Sequence, residues 1–174
     1  MTLLALKVHS PRKVDSKLKR LLRELGLPAS EVLSLPFTEP SDFMPEAANC
    51  HFNVLAQVKL AGGRAVHGWI LAEDRKQDFV EAVFHSVWQP VAGPLRDLTP
   101  RSLPEAKILF VPDPRRRLVL TTESDRPAIL TYENFRMHEG RALAPLRQVR
   151  LPVCSTLIAR FELWPWQDQS ANVA

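Results

Sequence analysis

The chain has no run of about 18 apolar residues, so nothing in it reads as a helical membrane span. Only two cysteines are present, Cys50 and Cys154, too few for the disulfide framework of a small secreted domain. Both are expected to be free thiols, and the protein is placed in the cytoplasm. The N-terminal MTLLALKVHSPRK has too short an apolar part, and no cleavage site, to read as a secretory signal. There is no Cys-x-x-Cys, His-x-x-x-His or His-Glu-x-x-His pairing to gather a metal locally. No recognition-helix, RNA-binding-sheet or zinc-finger signature occurs, and no internal repeat or low-complexity tract.

Charge of one sign is also missing. The 23 Lys and Arg against 19 Asp and Glu leave +4 over 174 residues, and the two signs are interspersed. The one dense cluster, Arg115 to Arg117, follows Pro112-Asp113-Pro114 and reads as a solvated face or, in a rival reading, as a contact for nucleic acid or an acidic protein. Nucleic acid is not favoured as a partner. Hydrophobic residues make up 45% of the chain, which suits one soluble globular domain with a single sizeable core.

What is there is patterned. Asp15 or Ser16 caps a helix whose Leu18, Leu21, Leu22 and Leu25 share one face, and Gly26 ends it. A further turn of helix is expected from Ser30. Residues 35 to 48 hold three prolines and read as an extended loop, a candidate cleft wall. The next apolar stripe predicts a helix from Cys50, or just before it, to Gly62-Gly63. RAVHGWILAE and FVEAVFHSVWQP read as strands, with Val83, His85 and Val87 on one face and Ala82, Phe84 and Trp88 on the other. After the turn at Pro90 to Gly93, PLRDLTP is predicted to return as a short strand, giving an antiparallel hairpin with His85 and Asp97 on its two arms. KILFVPDP and RRLVLTT are further strands, followed by PAILTYENFRM and a last apolar segment, VCSTLIARFELWPW. The final residues, QDQSANVA, are expected to fray.

Cys50, His85 and Asp97 stand in an order that suits nucleophilic catalysis. A cysteine hydrolase needs a thiolate, an imidazole that exchanges protons with it, and a group that holds the other ring nitrogen. A cysteine opening a helix gains from the helix dipole. The blander readings are a small buried hydrophobe for Cys50 and core packing against its helix for Trp69 and Trp88. Asn53 is expected to hydrogen-bond the loop before the helix, and His51 to be solvated. His67 has no assigned partner, and His9 and His138 read as surface residues. Gly68 in a strand signals a bulge or a close backbone approach. Glu81 and Asp113 are either acids that brace the site from behind or turn and surface residues, and the second reading is favoured for both. A zinc site on Cys50, His51, His85 and Cys154 is the rival use of the same residues, although no metal or other cofactor is expected.

With a Cys at a helix start, a His on a strand and an Asp followed by Thr-Pro, residues 45 to 112 resemble the core of the transglutaminase-like and papain-like cysteine hydrolases. More narrowly, NCHFNV, GGRAVHGW, FHSVW, DLTP and ILFVPDP resemble a group of bacterial proteins sharing those motifs. The resemblance implies an α+β fold in which a Cys-bearing helix packs on a mainly antiparallel sheet. Residues 1 to 44 form an N-terminal helical segment and loop, and 113 to 174 a β-rich C-terminal extension. It implies Cys50 as nucleophile, His85 as general acid and base, and Asp97 as the orienting carboxylate. The oxyanion would meet the Cys50 N–H and one more donor. The Gln that papain-like enzymes carry shortly before the cysteine is absent, and Asn49 alone immediately precedes Cys50. Asn49, Trp69 and Trp88 are therefore the candidates for the oxyanion and substrate side of the cleft. The implied substrate is a peptide or protein bearing an amide side chain or bond, and the alternative is a non-catalytic peptide- or protein-binding module on the same fold.

Overall fold

A computed structural model describes residues 6–101, 105, 107–124 and 126–164. The chain is α+β, with mostly antiparallel sheets and three α-helices among the described residues. Helix α1 (Ser16–Leu25) begins as the sequence predicts. The Asp15 carboxylate accepts the N–H groups of Lys17 and Leu18, and Gly26, in the left-handed region at φ 71°, closes the helix. Its four leucines are buried against one face of the main sheet, beside Trp69, Leu71, Val80, Ala82, Phe84 and Val111. Each such side chain contributes roughly 1.5–3 kcal/mol.

The sheet is organised by two long strands, β2 (Arg64–Asp74) and β3 (Phe79–Gln89), paired antiparallel so that Gly68 faces His85 and His67 faces Ser86. Their neighbours β1 (Leu33–Pro36) and β4 (Lys107–Pro112) extend the sheet beyond β2, with β4 between β1 and β2. On the other side lie β7 (Phe135–His138) and the two-residue β8 (Arg141–Ala142). Gly68 answers the expectation of a close approach: a Cβ there would lie 2.1 Å from the Val111 carbonyl oxygen. A second sheet consists of β5 (Val119–Glu123), β6 (Arg126–Tyr132) and β9 (Gln148–Pro152), in the order β5-β6-β9.

Helix α2 (Cys50–Ala61) packs along β3, where β7 has stopped pairing after Ala82. It is enclosed on most sides: Cys50, His51, Phe52, Asn53, Val54, Ala56 and Gln57 are all buried. A short helix α3 (Thr156–Phe161), capped by the Ser155 hydroxyl, leans on α2 and shares an apolar cluster with Phe43, Phe52 and Ala56.

Three expectations are corrected. The stretch from residue 35 starts inside β1, because Leu35 and Pro36 pair with Ile108 and Lys107. PLRDLTP does not pair along β3 as a strand. It makes one antiparallel bridge, Arg96 to Trp88, and one parallel bridge, Asp97 to Phe37, since the prolines at 94 and 100 have no N–H to extend a ladder. The last apolar segment contains α3 rather than extending the β structure, because the Ser155 side chain caps it. The tail expected to fray, residues 167–174, lies outside the described residues. Among the described residues no helix is long and apolar enough to cross a membrane.

Candidate functional site

The first turn of α2 sets the site. Asn53 is wholly buried and holds the loop that leads into the helix: its Oδ1 accepts the Glu46 N–H at 2.8 Å, and its Nδ2 donates to the Glu46 carbonyl at 2.8 Å and to Thr99 Oγ1 at 3.2 Å. The segment carrying Asp97 is thereby tied to the helix carrying Cys50. Just ahead of the helix, Ala48 sits at φ 60°, a conformation that costs a non-glycine residue about 1–2 kcal/mol.

His85 and Asp97 are brought together. His85 Nε2 lies 2.8 Å from Asp97 Oδ1, and both side chains are almost completely buried. Asp97 is held further by the Thr99 N–H at 3.3 Å and by the Arg101 guanidinium, 3.1 Å from Oδ2. Burial alone would raise the Asp97 pKa, but the hydrogen bond and charge of His85, with Arg101, hold it below the ordinary value. The same balance acts in reverse on His85. Burial opposes its charge, yet the Cys50 thiolate and the Asp97 hydrogen bond lift it to about 9. Cys50 is also buried, which would push the thiol up. The charges and hydrogen bonds of His51 and His85 outweigh that and leave it well below its ordinary value.

His51 departs from expectation. It is buried rather than solvated, because α2 is covered by the sheet over its first turn. Its Nδ1 is 2.6 Å from Ser86 Oγ, and on the far side of that wholly buried hydroxyl stands His67 Nδ1, at 2.7 Å. The sequence offered one signal for this trio: His67 and Ser86 fall on the same sheet face once the β2–β3 register is fixed. Nothing in the sequence put His51 beside them.

Three further candidates occupy packing positions. Trp69 is fully buried under α1, not against the Cys50 helix, and its Nε1–H donates to Asp113 at 3.0 Å. Trp88 does pack against α2, beside Val54, and its Nε1–H donates to the Gly62 carbonyl at 2.9 Å. The Asn49 amide nitrogen is already engaged by Glu46 Oε2 and by the Cys154 carbonyl, at 2.8 and 3.1 Å. The N–H groups of Cys50 and His51, the first two of the helix, have no acceptor among the described residues.

Asp113 is no surface acid. It is buried and bound by Trp69, Arg116 and the Arg115 N–H. Arg115 and Arg116 are likewise structural, donating to the Leu25 carbonyl at the end of α1. Cys154 is exposed and Cys50 buried, both as free thiols, and among the described residues no three His, Cys, Asp or Glu side chains form a metal-holding group.

Two cavities flank the site. One, of about 510 Å³, opens over His85 and is walled by Ala47, Ala48, Ile70, Ala72, Val83 and Arg101 among others. The other, of about 500 Å³, opens over His67. No family model, no curated protein and no solved structure matches this chain.

Proposed function

We propose that the protein is a cysteine hydrolase or acyltransferase of the transglutaminase-like and papain-like type, acting in the cytoplasm on an amide or isopeptide bond of a peptide or protein. The observation that carries this reading is the buried His85–Asp97 hydrogen bond beside a cysteine that opens a helix. Because Asp97 takes Nε2–H, the Nδ1 of His85 is the nitrogen left for the thiol, so the carboxylate fixes both ring orientation and tautomer.

In this mechanism the Cys50 thiolate attacks the amide carbon while the carbonyl oxygen gathers charge against the free N–H groups of Cys50 and His51. His85, as the imidazolium, gives its Nδ1 proton to the departing amine. Water or a second amine then attacks the thioester, loses its proton to His85, and frees the thiolate. Hydrolysis, deamidation and transamidation differ only in which group leaves and which enters. The cavity over His85, with the apolar Ile70, Ala72 and Val83, is where the acyl side chain would sit.

The test is the rate of Cys50 alkylation by iodoacetamide against pH, with Cys154→Ser removing the second thiol. Reactivity that persists well below pH 8 and is lost in His85→Ala supports an activated thiolate. An ordinary titration near pH ~8.5 sinks the reading and leaves a peptide-binding module in its place.

A further inference from the structure

Cys50 stands beside two imidazoles: His85, whose Nε2 is held by Asp97, and His51, its neighbour on α2. Behind His51 the chain of hydrogen-bonding groups continues through Ser86 Oγ to His67 Nδ1, with separations of 2.6 and 2.7 Å. His67 is only partly buried and lines the second cavity. We propose that His51, Ser86 and His67 form a proton wire that carries the Cys50 proton across the edge of β3 and releases it to solvent in the cavity over His67. The inference rests on the reading of Cys50 as a thiolate paired with a charged His85, and it adds three residues to that site.

The donor count makes the wire directional. A serine hydroxyl has one hydrogen to donate, so when that hydrogen stays within the chain, one of the two Nδ1 atoms facing Ser86 Oγ is a bare acceptor and the other an N–H. Two arrangements satisfy this. With Cys50 as the thiol, S–H faces His51 Nε2, His51 Nδ1–H donates to Ser86, and the Ser86 O–H donates to His67 Nδ1. The neutral His67 then carries its proton on Nε2. With Cys50 as the thiolate, every bond in the chain has reversed. His51 Nε2–H faces the sulfur, Ser86 donates to His51 Nδ1, and His67 donates from Nδ1. Passing between them, S–H breaks as Nε2–H forms on His51, His51 Nδ1–H passes to Ser86 oxygen, and the Ser86 proton passes to His67 Nδ1. His67 is briefly an imidazolium and gives its Nε2 proton to water, so one proton leaves and no other group changes charge.

The surroundings favour release. Burial, the neighbouring His51 and the Arg117 guanidinium keep His67 down at about 4, against a smaller upward pull from Cys50. The cavity it faces presents Arg64, Arg116 and Arg117 against Glu31 and Asp113, and Asp113 is already bound by Arg116 and Trp69. An imidazolium there gives up its proton quickly. On the opposite sheet face, the groups that hold His85 charged are Cys50 and Asp97.

The experiment follows the histidine ring nitrogens by 15N NMR through a pH titration of the Cys154→Ser protein, with the Cys50 midpoint taken from alkylation. His67 is expected to switch from the Nε2–H to the Nδ1–H tautomer at the midpoint of Cys50. Ser86→Ala and Cys50→Ala are each expected to abolish the switch. Ser86→Ala and His67→Phe should also slow alkylation at pH 6 by about tenfold, one unit of thiol pKa. Ser86→Thr, which keeps the hydroxyl, should restore both readings. A His67 that keeps one tautomer through the Cys50 midpoint overturns the wire, as does a switch that survives in Ser86→Ala. Neither result touches the reading of Cys50 as nucleophile, which stands or falls on its midpoint and on His85→Ala.

Discussion

The two imidazoles beside Cys50 lie in different chemical surroundings on either side of one strand edge. His85 meets a carboxylate that is itself braced by Arg101, and it carries a charge. His51 meets a serine hydroxyl shared with His67, and burial keeps His67 down at about 4. Burial opposes the charge of both His85 and His67, and it is overcome at His85, where Cys50 and a hydrogen-bonded carboxylate act together. A carboxylate fixes one tautomer and one charge, whereas a hydroxyl, donor and acceptor together, permits two.

The largest effect should come from a change that strikes both sides together. Gly68 is the cross-strand partner of His85 and the neighbour of His67, and a Cβ there would meet the Val111 carbonyl at 2.1 Å. Gly68→Ala is expected to cost on the order of 3 kcal/mol in urea denaturation, since backbone has to move, and to blunt Cys50 alkylation and His67 titration alike. Asp97→Asn breaks only the ionic side. It leaves a hydrogen-bond acceptor for His85 but removes the charge, and it should lower alkylation at pH 6 by roughly tenfold or more while the Ser86–His67 contact persists in NMR spectra.

The sign of the pH dependence separates the groups further. Asp97, held below its ordinary value, contributes stability that is present above about pH 4 and is lost as the pH falls through its folded pKa. His85, raised to about 9, contributes stability that is complete below about pH 6.5 and is lost as the pH rises through about 9. Denaturation midpoints measured from pH 3 to pH 10 should show both limbs. The smallest and most selective change is Cys50→Ala. Removing the thiolate takes away the leading upward influence on His85, so the His85 ring should titrate about one unit lower by NMR. If its midpoint stays near 9, Asp97 alone holds the charge and the pairing with Cys50 is wrong.

Much of the frame was legible because local rules act on it. The capped α1, the start of α2 at Cys50, and the opposite facing of His85 and Phe84 on β3 follow from capping residues and from periods of 3.6 and 2. The nearness of His85 and Asp97 was legible as well, although they meet through a bridge and a turn rather than a strand pair. What was not legible depends on contacts distant in sequence. His51 reads as solvated if α2 is taken to have one wet face, but α3 and the sheet enclose the first turn. Asp113, Arg115 and Arg116 read as surface charge until they are seen bound to Trp69 and to the carbonyls that end α1. Trp69 and Trp88 carry no mark in the sequence to distinguish a wall of a cleft from a core side chain.

The ties between the loop before α2 and the start of α3 impose an order in time. Asn49 reaches the Cys154 carbonyl, 105 residues along the chain, and Glu46 accepts from the N–H and hydroxyl of Thr156, 110 residues away. On the ribosome, the strands and α1 can assemble from neighbouring sequence while these two partners have yet to be synthesised. The segment that presents Cys50 is thus fastened only after residues 154 to 156 have emerged, later than the β2–β3 pair on which α2 packs.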